Sequence, residues 1–260
     1  MIRKLFLKIY NYFLNFYYNY LSLYLIKKSY VLKNNKKIFS IRNYGGSTKK
    51  RADTFFSKEP ETVRWLETFG EEQSSFLDVG ANIGIYSIYA AKLGHKVISI
   101  EPEFNNFQNL NENIIDNNLS NFVKAYPICF SDKISVDLLR LSKIGFGKSD
   151  HQKIIKNDIF ESDNKYEQGT ISFDMDTFLK KILFYPNFIK IDVDGNEFEL
   201  IKGMTNTISK NNKFLKEILI EVSNEEIKKS VISTLEKNNF FLKKTNYHKK
   251  SQNLHFVRKN

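Results

Sequence analysis

After residue 74, short apolar runs alternate with amphipathic stretches along most of the chain. The apolar runs predict strands at 75–79, 96–100, 122–126, 188–193 and 217–222. The stretches between them predict helices at 85–93, 105–117, 197–203 and 225–238. Strands that alternate with helices are typical of βαβ units, so we expect a parallel sheet covered by helices. Two last strands, at 240–245 and 253–257, are predicted to form an antiparallel edge.

Residues 131–170 interrupt this rhythm. They predict one extra strand at 134–141, followed by a polar loop that contains Gly145, Gly147 and Gly169. A short helix is predicted at 175–181, before the alternation resumes. A long irregular insertion in such a domain is typically a substrate loop or a disordered segment.

The first 28 residues differ from the rest. Apolar side chains recur at three- and four-residue spacing, which predicts an amphipathic helix. No charge occurs between Ile9 and Ile26, but three asparagines and six tyrosines make this stretch a poor membrane span. Two interpretations remain open. The helix lies in a membrane interface between its lysine flanks, or it packs across the domain or a dimer partner.

Residues 29–74 predict a linker with a short strand, a turn at Tyr44-Gly45-Gly46 and an accessory helix at 60–69. Pro60 suits the first turn of that helix and Gly70 suits its end.

Composition narrows the possibilities further. The single cysteine, Cys129, excludes an intrachain disulfide and a multi-cysteine zinc site, and it is compatible with the cytoplasm. The net charge of +11 suits nucleic acid, anionic lipid or an anionic substrate. Because much of the lysine excess lies near the two ends of the chain, we favour compositional bias and a solvated surface over nucleic-acid binding.

The strongest chemical signal is the segment 76–84, FLDVGANIG, in which an apolar strand enters a glycine turn and then a helix. Ligands in open α/β sheets bind beyond the carboxyl ends of the strands. Gly80 is expected to let the backbone approach a ligand, and Gly84 to let the helix pack close to the strand. The segment is not the dinucleotide fingerprint, because Asn82 takes the place of the second glycine.

Acids follow two further strands. Glu101-Pro102 ends the second strand, where an acid accepts hydrogen bonds from both ribose hydroxyls, so together with the first motif it indicates an adenosyl ligand. Asp192 and Asp194 end the fourth strand. Carboxylates there suit a base, an orienting group, a cofactor contact or a metal ligand. A magnesium site built from Asp192, Asp194, Glu197 and Glu221 is the least favoured of these, and we expect no metal.

These blocks resemble the FkbM family of methyltransferases. The resemblance rests on FLDVGANIGIYSIYAAK, VISIEPEFNNFQNLNENI and FIKIDVDGNEFELIKGM, with further likeness at 131–133 and 171–179. Asp194 and Asn196 stand where the family more often has Glu and a small residue. The resemblance implies a Rossmann-like class I α/β fold, with three layers doubly wound around a mostly parallel seven-stranded sheet. It also implies S-adenosylmethionine as cofactor and O-methylation of sugars, glycans or polyketide-like molecules.

Carried over by resemblance, Asp78 and the turn from Gly80 to Gly84 face the methionine part of the cofactor, and Glu101 holds its ribose. Ser131 and Asp132 lie near the adenine. Asp192 sits beside the methyl group and is the first candidate for the base that activates an alcohol. The next candidates are Asp194 and, in the insertion loop, His151.

The prediction is therefore an N-terminal helix (1–28), a linker with an accessory helix (29–74) and a methyltransferase domain (75–260) with an insertion at 131–170. We expect a cytoplasmic protein, with peripheral membrane contact through residues 1–28 left open. The acceptor and the oligomeric state are not predicted.

Two rival functions are weighed against this one. A nucleic-acid methyltransferase would use the basic surface, but the chain lacks the N/D-P-P-Y/F tetrapeptide of amino-group methylation and an appended RNA-binding module. A non-catalytic cofactor-binding scaffold is disfavoured because acids stand at all three strand ends.

Overall fold

A computed structural model describes residues 2–17, 27–31, 38–70, 73–154, 166–248 and 251–259. The strands are β1 (Lys27–Val31), β2 (Ile38–Arg42), β3 (Ser75–Val79), β4 (Lys96–Ile100), β5 (Val123–Tyr126), β6 (Cys129–Ser131), β7 (Ser135–Arg140), β8 (Gln152–Ile154), β9 (Glu167–Asp174), β10 (Phe188–Ile191), β11 (Glu217–Val222), β12 (Phe240–Tyr247) and β13 (Gln252–Arg258). The helices are α1 (Ile2–Phe16), α2 (Gly46–Asp53), α3 (Phe55–Lys58), α4 (Pro60–Glu67), α5 (Ile85–Lys92), α6 (Phe104–Asp116), α7 (Met175–Ile182), α8 (Glu197–Lys202), α9 (Thr205–Ile208) and α10 (Glu225–Lys237).

Seven of these strands form the central sheet, in the order β12-β13-β11-β10-β3-β4-β5. The five strands from β11 to β5 are parallel, and β13 is antiparallel to both of its neighbours. The chain first builds outward from β3 to β5 and then returns to β10 on the other side of β3. The sheet therefore reverses its direction of growth between β3 and β10, where α/β proteins bind ligands.

Helices cover both faces of the sheet and give the fold three layers. Successive residues of each strand face opposite ways, so Phe76 enters one core and Leu77 the other. The first core lies beneath α4, α5 and α6, and the second beneath α7, α8 and α10. Strand β10 is buried along its whole length, and its apolar residues are interrupted by the buried Lys190.

The insertion forms a second sheet, which corrects the predicted polar loop. Its order is β6-β9-β7-β8. The extra strand predicted at 134–141 is present as β7, but Gly169 lies within β9 opposite Leu138 and not in a loop. Residues 155–165 of the predicted loop lie outside the described residues.

The N-terminal segment also departs from the prediction. Helix α1 ends at Phe16, and the predicted helical residues Lys27 and Lys28 instead begin β1, which pairs with β2. Residues 18–26 of the predicted helix lie outside the described residues. The predicted linker contains the helices α2 and α3. The sequence alone does not predict this order, because it depends on tertiary contacts between polar groups of α6 and strand β2.

Two side chains of α6, and Asn117 directly after it, make that connection. Asn113 accepts a hydrogen bond from the Arg42 backbone at 2.8 Å, and Asn117 accepts one from Ser40 at 2.8 Å. The Arg42 guanidinium binds both carboxylate oxygens of Asp116, at 2.6 and 3.1 Å. Residues 38–58 are therefore anchored to the domain rather than loosely linked to it.

Candidate active site

A cavity opens beyond the carboxyl ends of β3, β4 and β10. About 760 Å³ of empty space lies within it, including open solvent at its mouth. The predicted site residues that line it are Gly80, Asn82, Glu101, Pro102, His151, Asp192 and Asp194. The sheet therefore brings together the acids that the sequence places at the ends of β4 and β10.

Gly80 lines the cavity, but a different contact constrains it. Its φ is +78°, and a Cβ there would lie 1.9 Å from the carbonyl oxygen of Asp192. Glycine is therefore required for the ends of β3 and β10 to meet. Gly84 allows close packing as predicted, but its near neighbour is the Leu110 side chain of α6, 2.1 Å from a built Cβ, and not a strand.

Glu101 is buried at the end of β4. Its carboxylate accepts backbone hydrogen bonds from Asn82 at 2.7 Å and from Glu103 at 2.9 Å. Burial raises the pKa of Glu101 to about 7, although these two N–H groups oppose the shift. Each carboxylate oxygen has a second lone pair, so the group retains capacity to accept hydrogen bonds from hydroxyls in the cavity.

Asn82 and Asn106 hold the insertion loop over the cavity. The Asn82 side chain donates to the Lys148 carbonyl at 2.7 Å, and Asn106 donates to the same oxygen at 3.0 Å. Asn106 also accepts from the backbone of Gly147 at 2.7 Å. The backbone of Asn82 itself adopts a left-handed φ of 52°.

Asp78 lies behind the cavity and not in its lining. It is fully buried, and its Oδ2 accepts a hydrogen bond from Ser87 at 2.5 Å. Burial raises the pKa of Asp78, while Lys190 and Ser87 lower it. The contact between Asp78 and the methionine part of the cofactor stays a prediction of the resemblance.

Asp192 is paired with a buried lysine. Lys190 is 3% exposed, and its ammonium donates to Asp192 Oδ2 at 2.7 Å. Burial alone would raise the pKa of Asp192, but the attraction of Lys190 outweighs it, so the pKa is lowered. The Asp192 carboxylate therefore stays anionic, and it is a weak proton acceptor.

Asp194 behaves differently from its neighbour. Burial and repulsion from Asp192 and Asp150 raise its pKa to about 6. Its Oδ2 accepts a hydrogen bond from the backbone of His151 at 3.0 Å. Asp194 therefore ties the insertion loop to the end of β10.

The His151 side chain is part of the cavity lining. Both ring nitrogens are buried, and neither forms a hydrogen bond of normal geometry. Burial lowers the pKa of His151, and this outweighs the nearby carboxylates of Glu103 and Asp150 and the Lys148 carbonyl, each of which raises it. The ring is therefore neutral near pH 7 and has a nitrogen lone pair available.

Ser131 and Asp132 do not line the cavity. Ser131 is buried and accepts a hydrogen bond from the Lys153 ammonium at 2.6 Å, while Asp132 is exposed. The wall expected near the adenine is formed instead by side chains around the insertion sheet: Ile128, Cys129, Phe130, Leu139 and Lys153.

Three further residues line the cavity that the sequence analysis does not predict as site residues. Arg51 of α2 lies outside the motif blocks, whereas Asn106 of α6 and Asn196, just before α8, lie within them. Within the described part of the chain, no cluster of three His, Cys, Asp or Glu side chains is arranged to hold a metal ion.

Comparison with known proteins identifies the family. The sequence profile described as "Methyltransferase FkbM domain" matches residues 78–244, which is more than half of the chain. This chain belongs to the FkbM methyltransferase family. The family assignment made from the sequence motifs is thereby confirmed.

Individual relatives of this FkbM member are distant. Hexuronic acid methyltransferase AglP of Haloferax volcanii is 26% identical over 170 residues, which are 65% of this chain and 66% of that protein, just under two thirds of its length. A putative rRNA-methylase structure from Clostridium thermocellum superposes with a TM-score of 0.50 at 10% identity, covering 77% of this chain and 95% of that one. Magnesium protoporphyrin IX methyltransferase from Synechocystis PCC 6803, solved with bound SAM, gives 0.49 at 12% identity, covering 83% and 88%.

The predicted fold class is confirmed. The sheet order, the antiparallel β13 and the three layers are those of the class I methyltransferase fold that the resemblance implied. At such low identity, the likeness to the Clostridium thermocellum structure concerns the fold alone.

The Gly80 contact generates a stability prediction. We expect Gly80→Ala to destabilise the protein more than Gly94→Ala, which serves as the matched control. Gly94 also has a positive φ, of +108°, but a Cβ there meets nothing within 4 Å, so its substitution costs only about 1–2 kcal/mol of backbone strain. Gly80→Ala adds a backbone clash worth a further ~1–3 kcal/mol. Urea unfolding of both variants measures the difference, and equal losses would contradict the close contact.

Proposed function

We propose that this chain is an S-adenosylmethionine-dependent O-methyltransferase that acts on a hydroxyl of a sugar, glycan or related small molecule. One observation carries the proposal. In an FkbM-family domain, a single cavity is lined by Glu101 at the end of β4 and by Asp192 and Asp194 at the end of β10. The neutral imidazole of His151 belongs to the same lining. These are the groups needed to bind an adenosyl cofactor and to deprotonate an alcohol.

The residues present fit the cofactor. Glu101 has lone pairs that suit ribose hydroxyls, and Gly80 with Asn82 provides the turn beside it. Pro102, Ile128 and Phe130 supply apolar surface. S-adenosylmethionine, when bound, supplies an electrophilic methyl group on a positively charged sulfur. The Asp192 carboxylate, kept anionic by Lys190, supplies the opposite charge at the end of β10.

The geometry changes the ranking of the candidate bases. Asp192 was the first candidate, but its lowered pKa makes it a weak acceptor and suits it to charge stabilisation. His151 is neutral and lines the cavity, and its two buried ring nitrogens have no hydrogen-bond partner among the described residues. We therefore assign His151 the role of accepting the hydroxyl proton. Asp194 would hold its loop through the His151 backbone and is the second candidate.

Support for a sugar acceptor comes from the relative. AglP is a hexuronic acid methyltransferase, and its match covers about two thirds of each chain. The asparagine, carboxylate and cationic side chains among the lining residues suit hydrogen bonds to a polyhydroxylated acceptor. The acceptor class is thus a proposal that a direct assay must decide.

The first test is transfer itself. We expect the full-length protein to move labelled methyl from S-adenosylmethionine to uronic-acid-containing or neutral glycosides, and not to RNA or DNA. Glu101→Gln should weaken cofactor affinity, measured by calorimetry, by roughly 10-fold or more because a charge-assisted acceptor is lost. Asp132→Asn is the matched control and should bind normally, since Asp132 is exposed and outside the cavity. Label incorporation into nucleic acid alone would overturn the proposal.

The second test concerns His151. We expect His151→Ala to lower turnover by roughly 10²–10⁴ while cofactor affinity stays within about twofold. Because burial lowers the His151 pKa, wild-type turnover should fall only as the pH drops below the ordinary histidine value, and the variant should lack that acid limb. His248→Ala, a histidine outside the cavity, is the control.

Two further variants separate the alternatives for the base. If Asp194→Asn abolishes the acid limb and His151→Ala retains it, Asp194 is the base. If Asp192→Asn lowers turnover without weakening cofactor binding, the charge-stabilising role assigned to Asp192 is wrong.

We also propose that α1 rests in the interface of an anionic membrane. Its apolar side chains are exposed, with Leu5 at 60%, Phe6 at 72% and Phe13 at 65%. They do not pack on the domain, which was one alternative left open by the sequence. No acid precedes Asp53, so the charge of the segment suits anionic lipid. None of the described helices is both long and apolar enough to span a bilayer.

Vesicle co-sedimentation tests this placement. We expect the full-length protein to sediment with phosphatidylserine-containing vesicles and less with pure phosphatidylcholine, with binding that weakens as salt rises. The double variant Phe6→Ser/Phe13→Ser should lose most of this binding and keep its cofactor affinity. Concentration-dependent self-association without vesicle binding would show that α1 covers a second protein surface instead.

A further inference from the structure

Arg51 lines the cavity from outside the segment matched by the family profile. It lies on α2, in a region that the sequence predicted as linker. Its Nε donates to the carbonyl of Gly147 at 2.9 Å. Within the described residues, neither terminal nitrogen of the guanidinium forms a hydrogen bond or an ion pair. The two terminal nitrogens of the guanidinium are therefore available to donate hydrogen bonds to a ligand.

Arg51 lies near groups from several parts of the site. The guanidinium is close enough to interact electrostatically with Glu101, Asp192 and His151. It pairs directly with none of the described carboxylates. A planar fork of N–H donors without a partner matches a carboxylate, which it binds through two parallel hydrogen bonds.

The position of Arg51 is fixed before any ligand arrives. Tyr44 stacks on Phe146 with ring centres 4.0 Å apart. Gly147 packs closely on Thr48, because a Cβ added to Gly147 would lie 3.0 Å from the backbone nitrogen of Thr48. The segment that carries Arg51 and the loop that carries His151 are thus joined by three separate contacts. Preorganisation of this kind lowers the entropy lost when a ligand binds.

We propose that Arg51 is a carboxylate-binding residue of the active site, an inference that rests on the proposed function. The other cation in the lining, Lys153, is already engaged by Ser131 at 2.6 Å and Asp137 at 3.7 Å. A phosphate would bring two negative charges among Glu101, Asp192 and Asp194, whereas a carboxylate brings one. The carboxylate comes either from the amino-acid end of the methyl donor or from a uronic acid on the acceptor.

The experiment uses full-length protein and matched ligand pairs. Calorimetry compares S-adenosylmethionine with its decarboxylated analogue, which lacks only the carboxylate. Transfer assays compare a glucuronide with the corresponding glucoside. Arg51→Gln is the test variant, Arg51→Lys restores the charge without the fork, and Arg64→Gln, an exposed arginine of α4, is the control.

If Arg51 binds the donor, Arg51→Gln should weaken S-adenosylmethionine binding by roughly 10- to 100-fold and leave the decarboxylated analogue unchanged. If it binds the acceptor, the variant should raise KM for the glucuronide by a similar factor, with the glucoside and donor affinity unaffected. Arg51→Lys should recover only part of either loss. Both patterns support a carboxylate-binding role and identify its source.

Two results overturn the proposal. Equal weakening of ligands with and without a carboxylate would mean that Arg51 acts only through the Gly147 loop, and unchanged binding of every ligand would remove it from the site. Failure of the proposed function looks different. In that case the wild-type protein itself would bind neither S-adenosylmethionine nor its analogue.

Discussion

The ion pair between Lys190 and Asp192 is the interaction on which the site depends. Moving an unpaired ammonium out of water costs several kcal/mol. Lys190 is only 3% exposed, so it requires negatively charged neighbours. Asp192 is the direct partner, while Asp78 and the buried Glu59 interact with the ammonium at longer range. The lowered pKa of Asp192 keeps a negative charge at the end of β10, where Asp192 lines the cavity. This negative charge suits a cationic ligand, and it comes from the end of β10 and not from a loop.

The second wall of the site is built differently. Asn82, Asn106 and Arg51 all bind backbone groups of Gly147 or Lys148, so three separate elements converge on two adjacent residues of the insertion. The sheet edge thereby provides the acids, and the insertion provides the imidazole of His151. In a class I fold the sheet is shared by many chemistries, so the insertion and the segment before β3 are where a preference for one acceptor would arise.

The sequence predicted the central sheet well because its strands are buried on both faces. The bounds of β3, β4 and β11 agree with the predicted runs. It missed β9 because that strand has its polar residues inside. Thr170 and Ser172 are buried while Ile171 is 49% exposed, and Ser172 donates to Asp137 beneath the sheet. An inverted pattern of this kind cannot be distinguished from a polar loop without the partner strand. Arg51 was missed for a related reason, since only tertiary contacts through α6 bring its segment to the cavity.

The buried acids also bear on how ligand binding and pH are linked. Burial raises the pKa of the Glu101 and Glu197 carboxyls to about 7. A carboxyl whose folded pKa is raised stabilises the folded state fully below its unfolded value, and that contribution is lost as the pH rises through the folded value. Between about pH 4 and 7 the unliganded protein therefore loses stability as these groups ionise together beside Asp192. A bound cation would favour the ionised carboxylates and so offset the loss of stability. The carboxylates that destabilise the unliganded protein at neutral pH would therefore increase its affinity for a positively charged methyl donor.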